Sequence, residues 1–309
     1  MLISKSTDLI GYSKLFQEFT FLINEELLPS KLLISGRKGI GKKTFIFHFL
    51  NYIFSKDENN KYEFDEKKIN FNNKSYRLIL SNTHPNLIKI QLKKDKKFID
   101  IDQIRRINDF VNKSSLNNKK KIILIEDVEH LNINAVNAIL KILEDSNNKN
   151  IFFLVYNSEK KISETLKSRC IEYKLSLDPE YIPQIIYNHY GKDYLIKISD
   201  EFKHYSFTPG FYISLIDFCN EYKINYEKIK IDELLKKISN EKIYKTSSFV
   251  KEHIKLILQI FFIKNLNDDF FLYHHLYKNI LTKLNNIIKY NLDMESLFIE
   301  LNNRILNER

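Results

Sequence analysis

Through the first 175 positions, short runs rich in β-branched residues alternate with stretches whose apolar positions recur every three or four residues. A strand buried on both faces of a parallel sheet reads as a nearly unbroken apolar run. On that pattern "KLLIS" (31–35), "LIKIQ" (87–91), "KIILIE" (121–126), "IFFLVY" (151–156) and "IEYKL" (171–175) are predicted as strands of an α/β domain. Between the third and fourth, Val136, Ile139, Leu140 and Leu143 recur at helical spacing and predict a helix with one buried face. Residues 56–75 are polar and without period, which predicts an exposed insertion. After Pro179 the strand pattern stops, and helical patterns follow, broken by "TPG" at 208–210. Three long ones with wide apolar faces occupy the stretch from about 240 onward.

This pattern divides the chain into an α/β domain (1–176), a small helical domain (177–238) and a C-terminal helical domain (239–309). A length of 309 residues, 43% apolar and 28% charged, suits folded domains rather than wholesale disorder. No apolar run reaches the roughly 18 residues that cross a bilayer, and the first residues lack a secretory leader pattern. A cytoplasmic location without membrane contact is the expectation. Cys170 and Cys219 cannot build a disulfide framework, and no Cys or His pair stands at metal-ligand spacing, so neither zinc nor another structural metal is expected. The net charge of +10 would suit a nucleic-acid partner, but abundant Lys, Asn, Ile, Phe and Tyr with scarce Gly, Pro and Ala is also what AT-rich coding produces. The lysine clusters at 93–97 and 119–121 are solvated by default, or line a DNA-facing chamber; the sequence does not choose between the two.

The segment "GRKGIGKKT" (36–44) follows a strand pattern and precedes a helical one. That order lets several backbone N–H groups face one oxyanion at the positive end of a helix, so Gly36, Gly39, Gly41 and Lys42 are predicted to form a phosphate loop. The next position normally offers a hydroxyl to Mg²⁺, and Lys43, while charged, has no lone pair to give. About 4 Å from a dication, at an effective dielectric of about 20, its ammonium would be repelled by roughly 8 kcal/mol, unless the side chain swings into solvent. Thr44 carries a hydroxyl, turned about 100° around the helix. Glu126 and Asp127 end the third strand, where an ATPase usually has Asp followed by Glu. They are either displaced catalytic acids, with rate losses on the order of a hundredfold per ångström, or acids that cap the following helix and face solvent. Glu129 is expected on the first turn of that helix.

Together with the loop, "SNTHPNL", "NAVNAILKILEDS" and "FFLVYNSEKKISETLKSRC" resemble the clamp-loader branch of the AAA+ ATPases, and within it the delta-prime subunits of bacterial DNA polymerase III. The resemblance is clear over 1–175 and weaker beyond. It implies an AAA+ P-loop domain with a parallel five-stranded sheet of order 5-1-4-3-2, then a helical lid and an all-helical collar. It assigns Asn157 to a sensor position. It makes Arg169, in the triplet Ser168–Arg169–Cys170, a finger acting in trans on ATP held by an adjacent gamma or tau subunit. Where active members carry a lid arginine, this chain has Phe211, Tyr212 and Ile213, and the zinc module common in delta-prime subunits is missing.

The expectation is therefore a degenerate ATPase, inactive alone, with ATP or ADP weakly held at most and Mg²⁺ disfavoured. It would serve as a stator beside gamma or tau and delta while the complex loads the sliding β clamp on primed DNA. A working clamp-loader ATPase and a general nucleic-acid-binding protein are the alternatives.

Overall fold

The computed structural model describes residues 7–93, 96–112, 120–146, 150–191, 193–203, 205, 207–265, 270–290 and 292–303. It groups into two compact units: residues 1–192 with 208–210, and residues 193–207 with 211–309. The second takes in residues that the sequence pattern divides between a lid and a collar.

In the first unit, helix α1 (Ser13–Asn24) leads into β1 (Lys31–Gly36), α2 (Lys42–Phe54), α3 (Lys74–Leu80), β2 (Leu87–Ile90) and α4 (Ile101–Asn112). Then follow β3 (Lys121–Ile125), α5 (Ile133–Asp145), β4 (Asn150–Asn157), α6 (Glu164–Lys167), β5 (Ile171–Lys174) and α7 (Ile182–Tyr190). All five strands are parallel, in the order β2-β3-β4-β1-β5, which is the expected 5-1-4-3-2 sheet read from its other edge. Successive side chains point to opposite faces, and both faces of the inner strands are covered, while the edge strand β5 is largely exposed. Leu32, Ile34, Phe153 and Val155 join a core with α1, α2 and α3, whereas Leu33, Ile123, Phe152 and Leu154 join another with α4, α5 and α6. Double burial explains the unbroken apolar runs Ile122–Ile125 in β3 and Ile151–Val155 in β4.

Three details depart from the sequence pattern. On α5 the fully buried line is Ala135, Ile139 and Leu143, while Val136 and Leu140 are half-buried. Residues 56–75 are not a freely exposed insertion. Tyr62 and Ile69 are buried, and Phe16 lies 5.3 Å from Tyr62, ring centre to ring centre, so aromatic rings anchor the segment to α1. Lys121 is buried, not solvated: its ammonium donates to the carbonyls of Phe110 (2.6 Å) and Val111 (3.2 Å), capping the C-terminal end of α4. Positions 94, 95 and 119 of the lysine clusters lie outside the described residues.

The second unit contains α8 (Tyr194–Lys197), α9 (Asp200–Lys203), most of α10 (Pro209–Glu221), α11 (Ile231–Asn240), α12 (Ser248–Asn265), α13 (Phe270–Tyr290) and α14 (Glu295–Leu301). Pro209 opens α10 at the "TPG" break, where its fixed φ suits a first helical position and its missing N–H costs nothing. Phe211, Tyr212 and Ile213 are buried in this unit's own core, together with Phe202, Phe218 and Phe249. No strand occurs here among the described residues, and no described helix is long and apolar enough to cross a membrane.

Candidate functional site

The predicted phosphate loop joins β1 to α2. Gly39 (φ 78°) and Gly41 (φ 101°) adopt left-handed backbone that side chains disfavour. Gly39 has a second reason to be glycine. Its carbonyl accepts the N–H of Gly210 at 2.9 Å, within the first unit, and a Cβ on it would stand 2.6 Å from Thr208 Oγ1. Beside Gly41 lies the ring of Tyr12, whose hydroxyl donates to the Ile40 carbonyl at 2.6 Å. Tyr12 is buried, and burial raises its pKa. Nothing in the sequence pattern around Tyr12 marks it as part of this loop.

Lys42 turns back into its own loop. Its ammonium donates to the carbonyls of Gly36 (2.6 Å) and Arg37 (2.8 Å), and the side chain is buried. Burial pulls its pKa down to about 8, against an opposing pull from the carboxylate of Glu129. Glu129 sits in a short 3-10 turn (Val128–His130) and accepts the N–H of Asn157 at 3.2 Å. Its other oxygen is buried without a hydrogen-bond partner. Asn157 ends β4, with its side-chain oxygen accepting the N–H of Glu159 at 3.1 Å. Glu129 is not on the first turn of α5, as the sequence pattern suggests; it lies in the separate turn before that helix, and nothing in the pattern marked it as part of this site.

Lys43 does not swing into solvent. Its ammonium stands 2.9 Å from Glu126 Oε2 and 3.1 Å from Asp127 Oδ1. The other oxygen of Glu126 is taken by Lys89 at 3.0 Å. Glu126 is 3% exposed, so the reading in which both acids face solvent is incorrect: a carboxylate this deep requires cationic partners, and two lysines supply them. Facing carboxylates hold the Lys43 proton more tightly, and its pKa is raised although burial acts the other way. Asp127 adopts left-handed backbone (φ 58°), which a short polar side chain tolerates better than most. Lys89 was legible only as a charge inside the otherwise apolar strand run "LIKI".

Magnesium needs oxygen donors in a near-octahedral shell. The acids that would supply them are already paired to ammonium groups, and Lys43 presents N–H donors where a hydroxyl is required. Thr44 is half-buried one position further along α2. The residues present do not fit a magnesium ion. Among the described residues, no group of three or more His, Cys, Asp or Glu side chains is placed to hold a metal ion.

Arg169 lies elsewhere. Ile171 pairs with Leu32, so Arg169 precedes β5 at the end of the sheet where β1 begins, whereas the glycine loop leaves where β1 stops. At about 3.3 Å per strand residue, the two are separated by roughly 20 Å along the strands. The guanidinium donates to Glu144 Oε1 (2.7 Å) and to the Thr165 carbonyl (2.9 Å), and its side chain is 38% exposed. Ser168 Oγ donates to the same carbonyl at 3.1 Å. Cys170 packs against the α4–α5 core, and burial pushes its thiol up to about 11. The structure thus gathers Gly36, Gly39, Gly41, Lys42, Lys43, Glu126, Asp127 and Asn157 at one end of the sheet and the Ser168–Cys170 triplet at the other.

A family model described as "DNA polymerase III, delta subunit" matches residues 11–179, more than half of the chain. The chain belongs to this family. Among its relatives, the DNA polymerase III subunit delta' of Buchnera aphidicola (subsp. Schizaphis graminum) is 35% identical over 151 residues, covering 48% of this chain and 43% of that one. The corresponding subunit of Pseudomonas aeruginosa is 28% identical over 45% of this chain and 41% of its own. The chain therefore matches less than half the length of these DNA polymerase III relatives. A Thermotoga maritima protein related to the DNA polymerase III gamma subunit has a solved structure that aligns over 96% of this chain and 92% of its own, at 19% identity and a TM-score of 0.41.

Proposed function

We propose that this chain is a delta-prime-like clamp-loader subunit that does not hydrolyse ATP itself and presents Arg169 to a nucleotide held by a neighbouring gamma or tau subunit. The observation that carries the reading is the Lys43 ammonium paired with Glu126 and Asp127, which leaves the chain's own loop without a magnesium grip. Family membership and similarity to delta' subunits support the assembly role. A 77-residue match to a Buchnera DNA polymerase III subunit gamma, at 32% identity, supports gamma-type neighbours.

Arg169 stands at the end of the sheet opposite its own loop, so any triphosphate it stabilises belongs to another chain. Leaving Glu144 costs little, since an exposed ion pair contributes about 0–1 kcal/mol. A guanidinium aimed at developing phosphoryl charge accounts for roughly 10³–10⁵ in rate. In that assembly, delta, the sliding β clamp and primed DNA are further partners.

The test is reconstitution with gamma or tau and delta, followed by Arg169→Ala. The expected result is an assembled complex whose ATPase falls by at least about a hundredfold. Unchanged turnover in a fully assembled complex overturns the finger assignment.

A further inference from the structure

We infer that Lys43 is a built-in counter-ion standing where a nucleotide-bound magnesium would sit, and that this one side chain makes the pocket refuse the divalent cation. The inference rests on the non-hydrolysing reading above and names the residue responsible for it.

Three observations support it. Each oxygen of the buried Glu126 carboxylate already faces an ammonium, Lys43 at 2.9 Å on one and Lys89 at 3.0 Å on the other, and a metal or its water would have to compete with both. Asp127 turns both oxygens to the same Lys43 ammonium, at 3.1 and 3.3 Å. Lys43 itself stands one residue after Lys42, on the first turn of α2, where the hydroxyl of a metal-dependent phosphate loop is placed. A magnesium ion entering here would have to displace an ammonium already held by two carboxylates, and it would find no oxygen on Lys43 to replace what it broke. Aspartate and glutamate side by side with the cation removed repel each other and recruit a divalent ion instead.

Thermal melting of the 309-residue chain in MgCl₂ alone tests this, with Lys43→Thr and Lys43→Met as variants. The wild-type melting temperature should stay within about 1 °C between zero and about 10 mM MgCl₂. Both variants should melt several degrees lower in the absence of magnesium, because the buried acids lose a partner, and recover at least half of that loss when it is added. Lys43→Met carries no hydroxyl, so recovery there locates the ion on the acids rather than on the new threonine. Equal magnesium stabilisation of the wild type and both variants overturns the inference, and so do variants that melt like the wild type with no response to the ion. If Lys43→Thr does not fold, Lys43→Met decides. The experiment involves neither Arg169 nor a partner subunit, so its failure and that of the arginine-finger reading are separable.

Discussion

Arg169 donates through Nε to Glu144 at 2.7 Å, with the two side chains 38% and 53% exposed. Solvent screens such a pair and both long side chains lose rotamer freedom to make it, so Arg169→Ala is expected to cost no more than about 1 kcal/mol in urea unfolding. Glu144→Gln should cost as little. Both measurements matter to the assembly experiment, because they separate loss of a finger from loss of a fold.

Glu126 depends on two cations, and Lys89 is the one outside the loop. Lys89→Met should destabilise the first unit by about 1–3 kcal/mol, less than breaking a buried pair outright because Lys43 remains. Denaturant unfolding measures the loss. A Lys89→Met,Glu126→Gln double variant should recover part of it, and a purely additive double variant would show that the two side chains do not interact.

Lys42, with its pKa pulled down by burial to about 8, should titrate well below the other lysines. A lysine whose folded pKa lies under its unfolded value of about 10.4 carries a penalty that is fully present below about pH 8 and fades as pH rises toward 10.4. Its contribution to stability therefore improves with pH across that window. Side-chain NMR of lysine Cε and Nζ should show one group moving near pH 8, absent from Lys42→Met. If every lysine titrates together above pH 10, the buried, carbonyl-bound environment of Lys42 is wrong.

Lys121 caps α4 from the first residue of β3. Lys121→Met keeps the apolar stem and removes the donor, leaving the Phe110 and Val111 carbonyls without it. A loss of about 1–2 kcal/mol is expected, with faster amide exchange confined to the last turn of α4. Exchange that is unchanged there would mean that water replaces the ammonium at no cost.

β1, β3 and β4 were legible because double burial leaves an apolar interior with no polar alternation, whereas the largely exposed β5 was legible only from its isoleucine and tyrosine. The buried line of α5 was legible only in part: counting large apolar residues favours Val136 and Leu140, whereas the fully buried line runs through Ala135, Ile139 and Leu143. The segment 56–75 was misread because two isolated anchors, Tyr62 and Ile69, make no period among lysines and asparagines. At the site, the glycines and Lys42 were readable from spacing alone. The partners of Lys43 were not, since Asp127 is 84 positions away in the chain and only the fold of the sheet makes them neighbours. The departure from a hydroxyl was visible at position 43, but its consequence, an inward turn rather than an outward one, depends on Glu126 being too deep to reach water.

The double grip on Glu126 also bears on how such a loop could change over generations. A lone replacement of Lys43 leaves Lys89 on the carboxylate and the two acids in inverted order, so it loosens the fold without assembling a hydrolytic centre. The carboxylate therefore keeps one cation whichever lysine is replaced, so neither single change frees both of its oxygens.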